Sequence, residues 1–113
     1  MTTALASEGL TPCRRGMSPL SGNELATLLR QLPAWTHLTI DGVAQLQRSY
    51  SFRNFADALA FTNALGALAE TADHHPAITV EWSKVTVRWW THVIGGLHRN
   101  DFVLAARTDQ IGQ

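Results

Sequence analysis

The sequence predicts an α+β fold: a single four-stranded antiparallel sheet with three helices on one face, in the order α-β-β-α-β-β-α. Three observations predict it. Apolar residues recur at helical spacing in two separate stretches, and a third helix-length stretch follows the Gly95-Gly96 break. Between them, four short segments alternate apolar and polar residues. Those segments fall into two pairs joined by two-residue turns, so each pair reads as a hairpin, and hairpins plus segregated helices define this class.

Residues 1–19 show no period and read as a disordered N-terminal arm, leaving residues 20–113 as one domain. The first helix opens at Ser21, which with Glu24 has the spacing of a capping box, flanked by Leu20 and Leu25 as a hydrophobic staple. Leu25, Leu28, Leu29 and Leu32 form its apolar stripe, and Pro33 ends it. Trp35 to Ile40 reads as a strand and Asp41-Gly42 as a hairpin turn, where glycine accepts positive φ. The return strand is Ala44 to Phe52, with Leu46, Tyr50 and Phe52 on one face.

Asn54 and Asp57 cap a second helix from Phe55 to about Thr71. Phe55, Leu59, Thr62 and Leu65 mark one side, and Phe61 and Leu68 widen the stripe, which makes it the expected central packing helix. Ile78, Val80 and Trp82 alternate with polar residues as a half-buried strand, and a tight turn at Ser83-Lys84 leads into the last one. There Val85, Val87, Trp89 and Thr91 must face opposite Thr86, Arg88, Trp90 and His92. The valine set is the expected core face, which puts His92 on the other face or at the sheet end beside Trp90. Gly95-Gly96 breaks the strand, and a last helix runs from about Arg99 to Ile111 with Asp101 in its first turn.

Composition narrows the function classes. The 113 residues carry zero formal net charge and 16% charged residues, so no basic excess meets a phosphate backbone and direct nucleic-acid binding is not expected. The single cysteine, Cys13, permits neither an internal disulfide nor a thiolate zinc cluster. No apolar run approaches a membrane span. Arg14-Arg15 is not followed by the apolar segment of a twin-arginine signal, and a cytoplasmic location is the expectation.

The chemistry concentrates between Glu70 and Asp101, which holds three of the five histidines. A surface histidine is usually only a polar residue, and His37 and His98 stay with that reading. His74 and His75 differ, being adjacent, at a helix end and directly before Pro76, which disfavours a helical conformation at His75. If the helix reaches His74, Glu70 lies one turn earlier and can hold its tautomer. Three imidazoles also match the ligand count of a catalytic zinc site. Yet adjacent residues rarely share a metal and no H-E-x-x-H or His-x-His pattern occurs, so no metal is expected. No serine sits in a nucleophile elbow and Cys13 lies in the arm. General acid–base catalysis on a small molecule fits these residues best.

The run Glu70-x3-His74-His75-Pro76-x5-Trp82-x9-His92-x8-Asp101 resembles the signature of the pterin-4a-carbinolamine dehydratases. Asp73, Lys84-Val85, Thr91-His92 and Gly96-Leu97 extend the likeness, as do Leu32-Pro33-Ala34-Trp35 and Phe52-Arg53-Asn54-Phe55, so it spans about Leu20 to Ile111. The resemblance implies loss of water from a 4a-hydroxytetrahydropterin to give the quinonoid dihydropterin, in recycling the pterin cofactor of aromatic amino acid hydroxylases. It implies no metal or organic cofactor, a homodimer or homotetramer, and a functional link to phenylalanine hydroxylase.

By the same resemblance His74, His75 and His92 are catalytic. His74 and His92 are assigned as the acid–base pair, and His75 to positioning or to the opposite 4a stereoisomer. Glu70 would orient a histidine or bind the pterin. Asp73, Pro76, Trp90, Thr91, Val93, Ile94 and Asp101 are the implied substrate-binding residues. Two positions depart from the pattern. His98 stands where a small hydroxyl cap is usual, a loss of about 1 kcal/mol, and Trp90 replaces a small polar residue. Trp90 is expected to stack on the pterin, fill a subunit contact or narrow the pocket. Two alternative functions remain: a non-catalytic module that binds and dimerises a transcription factor, and a dehydratase-like enzyme of molybdopterin metabolism.

Overall fold

The computed structural model describes residues 3–112. After one four-residue helical turn, α1 (Thr3–Ala6), the elements are α2 (Gly22–Leu29), β1 (Thr36–Ile40), β2 (Val43–Ser51), α3 (Phe55–Ala72), β3 (Ala77–Glu81), β4 (Lys84–Trp89) and α4 (Arg99–Ile111). From α2 onward this is the expected order, and the strands form one antiparallel sheet, β1-β2-β4-β3.

Each hairpin has a local cause. Asp41 and Gly42 both take positive φ, 51° and 80°, so the β1–β2 turn twists with its strands. In the second hairpin Glu81 pairs with Lys84, which makes Trp82-Ser83 the turn, one residue earlier than the pattern suggested. Trp82 is therefore not a strand residue and is 72% exposed. Across the centre of the sheet Leu46 faces Trp89 and Tyr50 faces Val85. Leu46, Tyr50, Val85, Val87 and Trp89 are buried, as the alternation required.

The helices differ from expectation in phase and rank. Ser21 makes no side-chain cap bond at the start of α2. Gly22 enters at φ +61°, outside the right-handed helical region, so the first amides do not align over the Ser21 hydroxyl. Asn54, by contrast, caps α3 through Oδ1, which accepts the Asp57 N–H at 2.8 Å. The buried stripe of α3 is Ala58, Phe61, Leu65 and Ala69, while Phe55 and Leu59 are 48% and 40% exposed. This helix is apolar nearly all round, so its composition alone did not set its phase; small Ala58 and Ala69 face the core.

The most deeply buried helix is α4, not α3. Every residue from Asn100 to Ala106 is buried, as are Thr108 and Asp109. Residues 5–13 explain this. The sequence read them as part of a disordered arm; the structure packs them along α4. Leu5 is fully buried, Glu8 pairs with Arg99 at 2.7 Å, and the Arg107 guanidinium donates to the Ala6 and Glu8 carbonyls. The segment lacks periodicity because it is held mainly by backbone carbonyls and one ion pair. Met1 and Thr2 of the expected arm lie outside the described residues.

Candidate active site

Two chain breaks bring the histidines together. Asp73 terminates α3 in the left-handed conformation, φ 51°, so the chain turns before His74 and extends through His75 to Pro76. The alternation of β4 stops at Trp89 rather than running on to His92. Thr91 then forms an isolated bridge with Gly96, its N–H donating to the Gly96 carbonyl at 2.8 Å. Inside that bridge His92–Ile94 makes one 3-10 turn, closed by Gly95 at φ 63°. A Cβ on Gly96 would lie 2.9 Å from Pro19 Cβ, so only glycine fits there.

These breaks border a cavity of about 500 Å³. Of the residues expected to act or bind, Asp73, His74, His75, Thr91, His92 and Val93 line it. Glu70, Pro76, Trp90, Ile94 and Asp101 do not. Pro76 and Ile94 are half-buried.

Glu70 does not hold His74. Because α3 ends at Ala72, the Glu70 carboxylate instead meets His75, Oε2 to Nε2, 2.5 Å, with side chains 79% and 54% exposed. Asp101 takes the role expected of Glu70. It is completely buried, and Oδ1 accepts from His74 Nε2 at 2.8 Å. Its Oδ2 accepts from Thr91 Oγ1 at 2.8 Å and from the His98 N–H at 2.9 Å. With no solvent contact, Asp101 sits where it orients His74 rather than where it meets a ligand. Burial, the largest single influence, would lower the His74 pKa, but the hydrogen bond and charge of Asp101, together with a hydrogen bond to the Trp90 backbone and the charge of Asp73, make the net shift upward.

His92 is exposed, and its ring packs against Trp90 with centroids 4.6 Å apart and planes tilted by 39°. Trp90 also carries the Arg88 guanidinium, 5.6 Å from its ring centre. It is half-buried against these two side chains, outside the cavity lining, and is not a free apolar ring.

His98 preserves the cap that its substitution was expected to remove. Its Nδ1 accepts the Asn100 N–H at 3.0 Å while Asp101 returns to the His98 amide, completing a capping box with an imidazole in place of a hydroxyl. Burial pushes the His98 pKa down, helped by the nearby His74 charge and opposed by Asp101.

The sequence reading missed Leu10, Thr11, Pro12, Cys13, Ala72 and Asn100, which also line the cavity. No motif marks the first four, because they sit in an aperiodic segment. Burial raises the Cys13 thiol pKa, the reverse of an activated nucleophile. Among the described residues, no group of three or more His, Cys, Asp or Glu side chains is placed to hold a metal ion. Nor is any helix long and apolar enough to cross a membrane.

Fold and site together define a small α+β protein with a histidine-lined pocket. The family profile of the pterin 4 alpha carbinolamine dehydratases matches residues 18–111, and the chain belongs to that family. It is 58% identical over 99 residues to a protein of Syntrophotalea carbinolica, covering 88% of each chain. It is 50% identical over 109 residues to one of Microcystis aeruginosa, covering 96% of this chain and 94% of the other. Both are provisionally named pterin-4-alpha-carbinolamine dehydratases.

Among solved structures, the transcriptional coactivator/pterin dehydratase of Brucella melitensis superposes with TM-score 0.76 at 29% identity, covering 85% of this chain and all of that one. A pterin dehydratase-like protein identified as a RuBisCO assembly factor in the alpha-carboxysome superposes with TM-score 0.60 at 23% identity, over 71% of this chain and 94% of that one. That likeness shows the fold alone.

Proposed function

We propose that the chain is a hydro-lyase acting on a 4a-hydroxytetrahydropterin, yielding the quinonoid dihydropterin and water in the recycling of a hydroxylase's pterin cofactor. The observation that supports it is three imidazoles on one cavity, one of them held toward its charged form by a buried carboxylate.

The chemistry needs two proton transfers. The 4a-hydroxyl leaves as water once it receives a proton and the C4a–O bond breaks. The N5 lone pair forms the C4a=N5 double bond, and N5 gives up its hydrogen to a base. A cationic imidazole can supply the first proton and a neutral one can take the second, which restores the starting total of protons.

His74 is assigned to the leaving hydroxyl, because Asp101 favours its protonated form. His92 is assigned to N5, and His75, held by Glu70, to positioning or to the opposite 4a stereoisomer. Asp73, Thr91 and Val93 line the pterin pocket. The reaction is placed in the cytoplasm, where a free thiol such as Cys13 stays reduced. The provisionally named relatives and the family assignment support the dehydratase reading. The Brucella relative's description as a transcriptional coactivator supports a second reading, a protein-binding module.

Stopped-flow absorbance of carbinolamine decay separates the two. The wild-type protein should accelerate the decay, and His74→Ala should lower turnover by about 10²–10⁴-fold while circular dichroism stays native. A wild-type protein without effect on the decay would remove the enzyme reading and leave the binding module. Full turnover in folded His74→Ala would remove the role given to His74.

A further inference from the structure

The cavity has a wall that the family match does not include. That match begins at residue 18, yet Leu10, Thr11, Pro12 and Cys13 face His74, His75 and His92 across the same space. A strand-like clasp holds this wall in place. Asn100 is 5% exposed, and its side-chain amide pairs with both backbone polar groups of one arm residue, Thr11. Its Oδ1 accepts the Thr11 N–H at 3.0 Å, and its Nδ2 donates to the Thr11 carbonyl at 2.6 Å and to Cys13 Sγ at 3.3 Å. Behind the clasp, the bidentate Glu8–Arg99 pair and the buried Leu5 anchor the segment to α4.

The position of Asn100 matters. It is the second residue of α4, next to Asp101, which orients His74. One turn of helix therefore sets both the arm on one side of the cavity and an imidazole on the other. The arm contributes the side chains of Leu10 and Pro12 and a thiol held protonated, none of which transfers protons at neutral pH. What such a wall can supply is apolar contact to a flat ring and exclusion of water from it.

The geometry points to residues 10–13 as a substrate-binding wall that packs on the reduced pterin and sets its affinity and fit, with Asn100 as the positioning residue that seats the wall. This rests on the pterin reading proposed above. It assigns binding, not chemistry, to the arm.

The single cysteine makes a direct test on the full-length protein. Alkylation of Cys13 by iodoacetamide is followed by mass spectrometry with and without a stable 7,8-dihydropterin that lacks the 4a-hydroxyl. Binding of the same dihydropterin is measured independently by equilibrium dialysis. Saturating dihydropterin should slow alkylation at Cys13. In parallel, Leu10→Ala and Pro12→Ala should each raise KM by roughly tenfold, with kcat within about twofold of wild type. Such a split is not expected from a merely structural role.

Dihydropterin that binds without slowing alkylation would overturn the wall, as would an unchanged KM in both variants, and either result leaves the dehydratase reading standing. Dihydropterin that does not bind at all would remove the pterin reading and the wall with it.

Discussion

Asp101 accepts three hydrogen bonds without touching solvent, from His74, Thr91 and His98. It ties together α4, the bridge strand and the histidine turn, so its charge acts on His74 directly. Removing that charge should lower the His74 pKa. If His74 is the acid, activity falls as pH rises through its pKa, and in Asp101→Asn the alkaline limb of kcat/KM should move to lower pH. Glu70→Gln should leave that limb in place, because Glu70 meets His75 instead. A pH–rate profile of both variants checks this. His98 titrates with the opposite consequence for stability. Its folded pKa lies below the ordinary 6.5, so its contribution is complete above that value and is lost as pH falls toward the folded one. His74, raised, contributes fully below 6.5 and loses that contribution as pH climbs through its folded value. His98→Ser keeps a capping oxygen but cannot be protonated. Its melting temperature should therefore drop less than the wild-type value between about pH 7 and pH 5, the interval over which an ordinary imidazole gains its proton.

At the scale of the elements, two N-caps with similar sequence signals differ in outcome. Asn54 Oδ1 accepts an amide of α3, whereas Ser21 makes no side-chain bond because Gly22 enters α2 at positive φ. Asn54→Ala should destabilise by about 1 kcal/mol, and Ser21→Ala should stay within roughly 0.5 kcal/mol of wild type. Urea unfolding of the two variants reads the difference. The same contrast explains α4. Its first turn keeps a capping box although a histidine stands at the cap, since Nδ1 of a neutral imidazole accepts as an oxygen does.

At the scale of the molecule, the exposed large apolar side chains among the described residues are Phe55 and Leu59 on α3, Trp82 in the β3–β4 turn, Met17 and Val93. Trp90, expected to stack on the pterin, fill a subunit contact or narrow the pocket, packs against His92 and Arg88 just outside the cavity lining. We expect a homodimer or homotetramer by sedimentation, as the family membership suggests, with contacts drawn from the α3 face rather than from Trp90. Trp90→Ser should leave the sedimentation coefficient unchanged and weaken pterin binding. A variant that dissociates would return Trp90 to the interface.

Periodicity and turn chemistry, both local, were enough to determine the order of elements, the hairpin at Asp41-Gly42, the Asn54 cap and the buried face of β4. The histidines of the pocket were legible as well, because adjacency before a proline is itself a local signal. Which carboxylate serves which imidazole was decided only in three dimensions. One αL residue, Asp73, ends α3 before His74, which swings Glu70 to His75 and opens His74 to Asp101. The phase of α3 was likewise undetermined by a helix apolar on every side. The arm was invisible in the sequence for a different reason. Backbone carbonyls, one asparagine amide and one ion pair hold it, and such bonds between residues about ninety positions apart leave no repeating pattern along the chain.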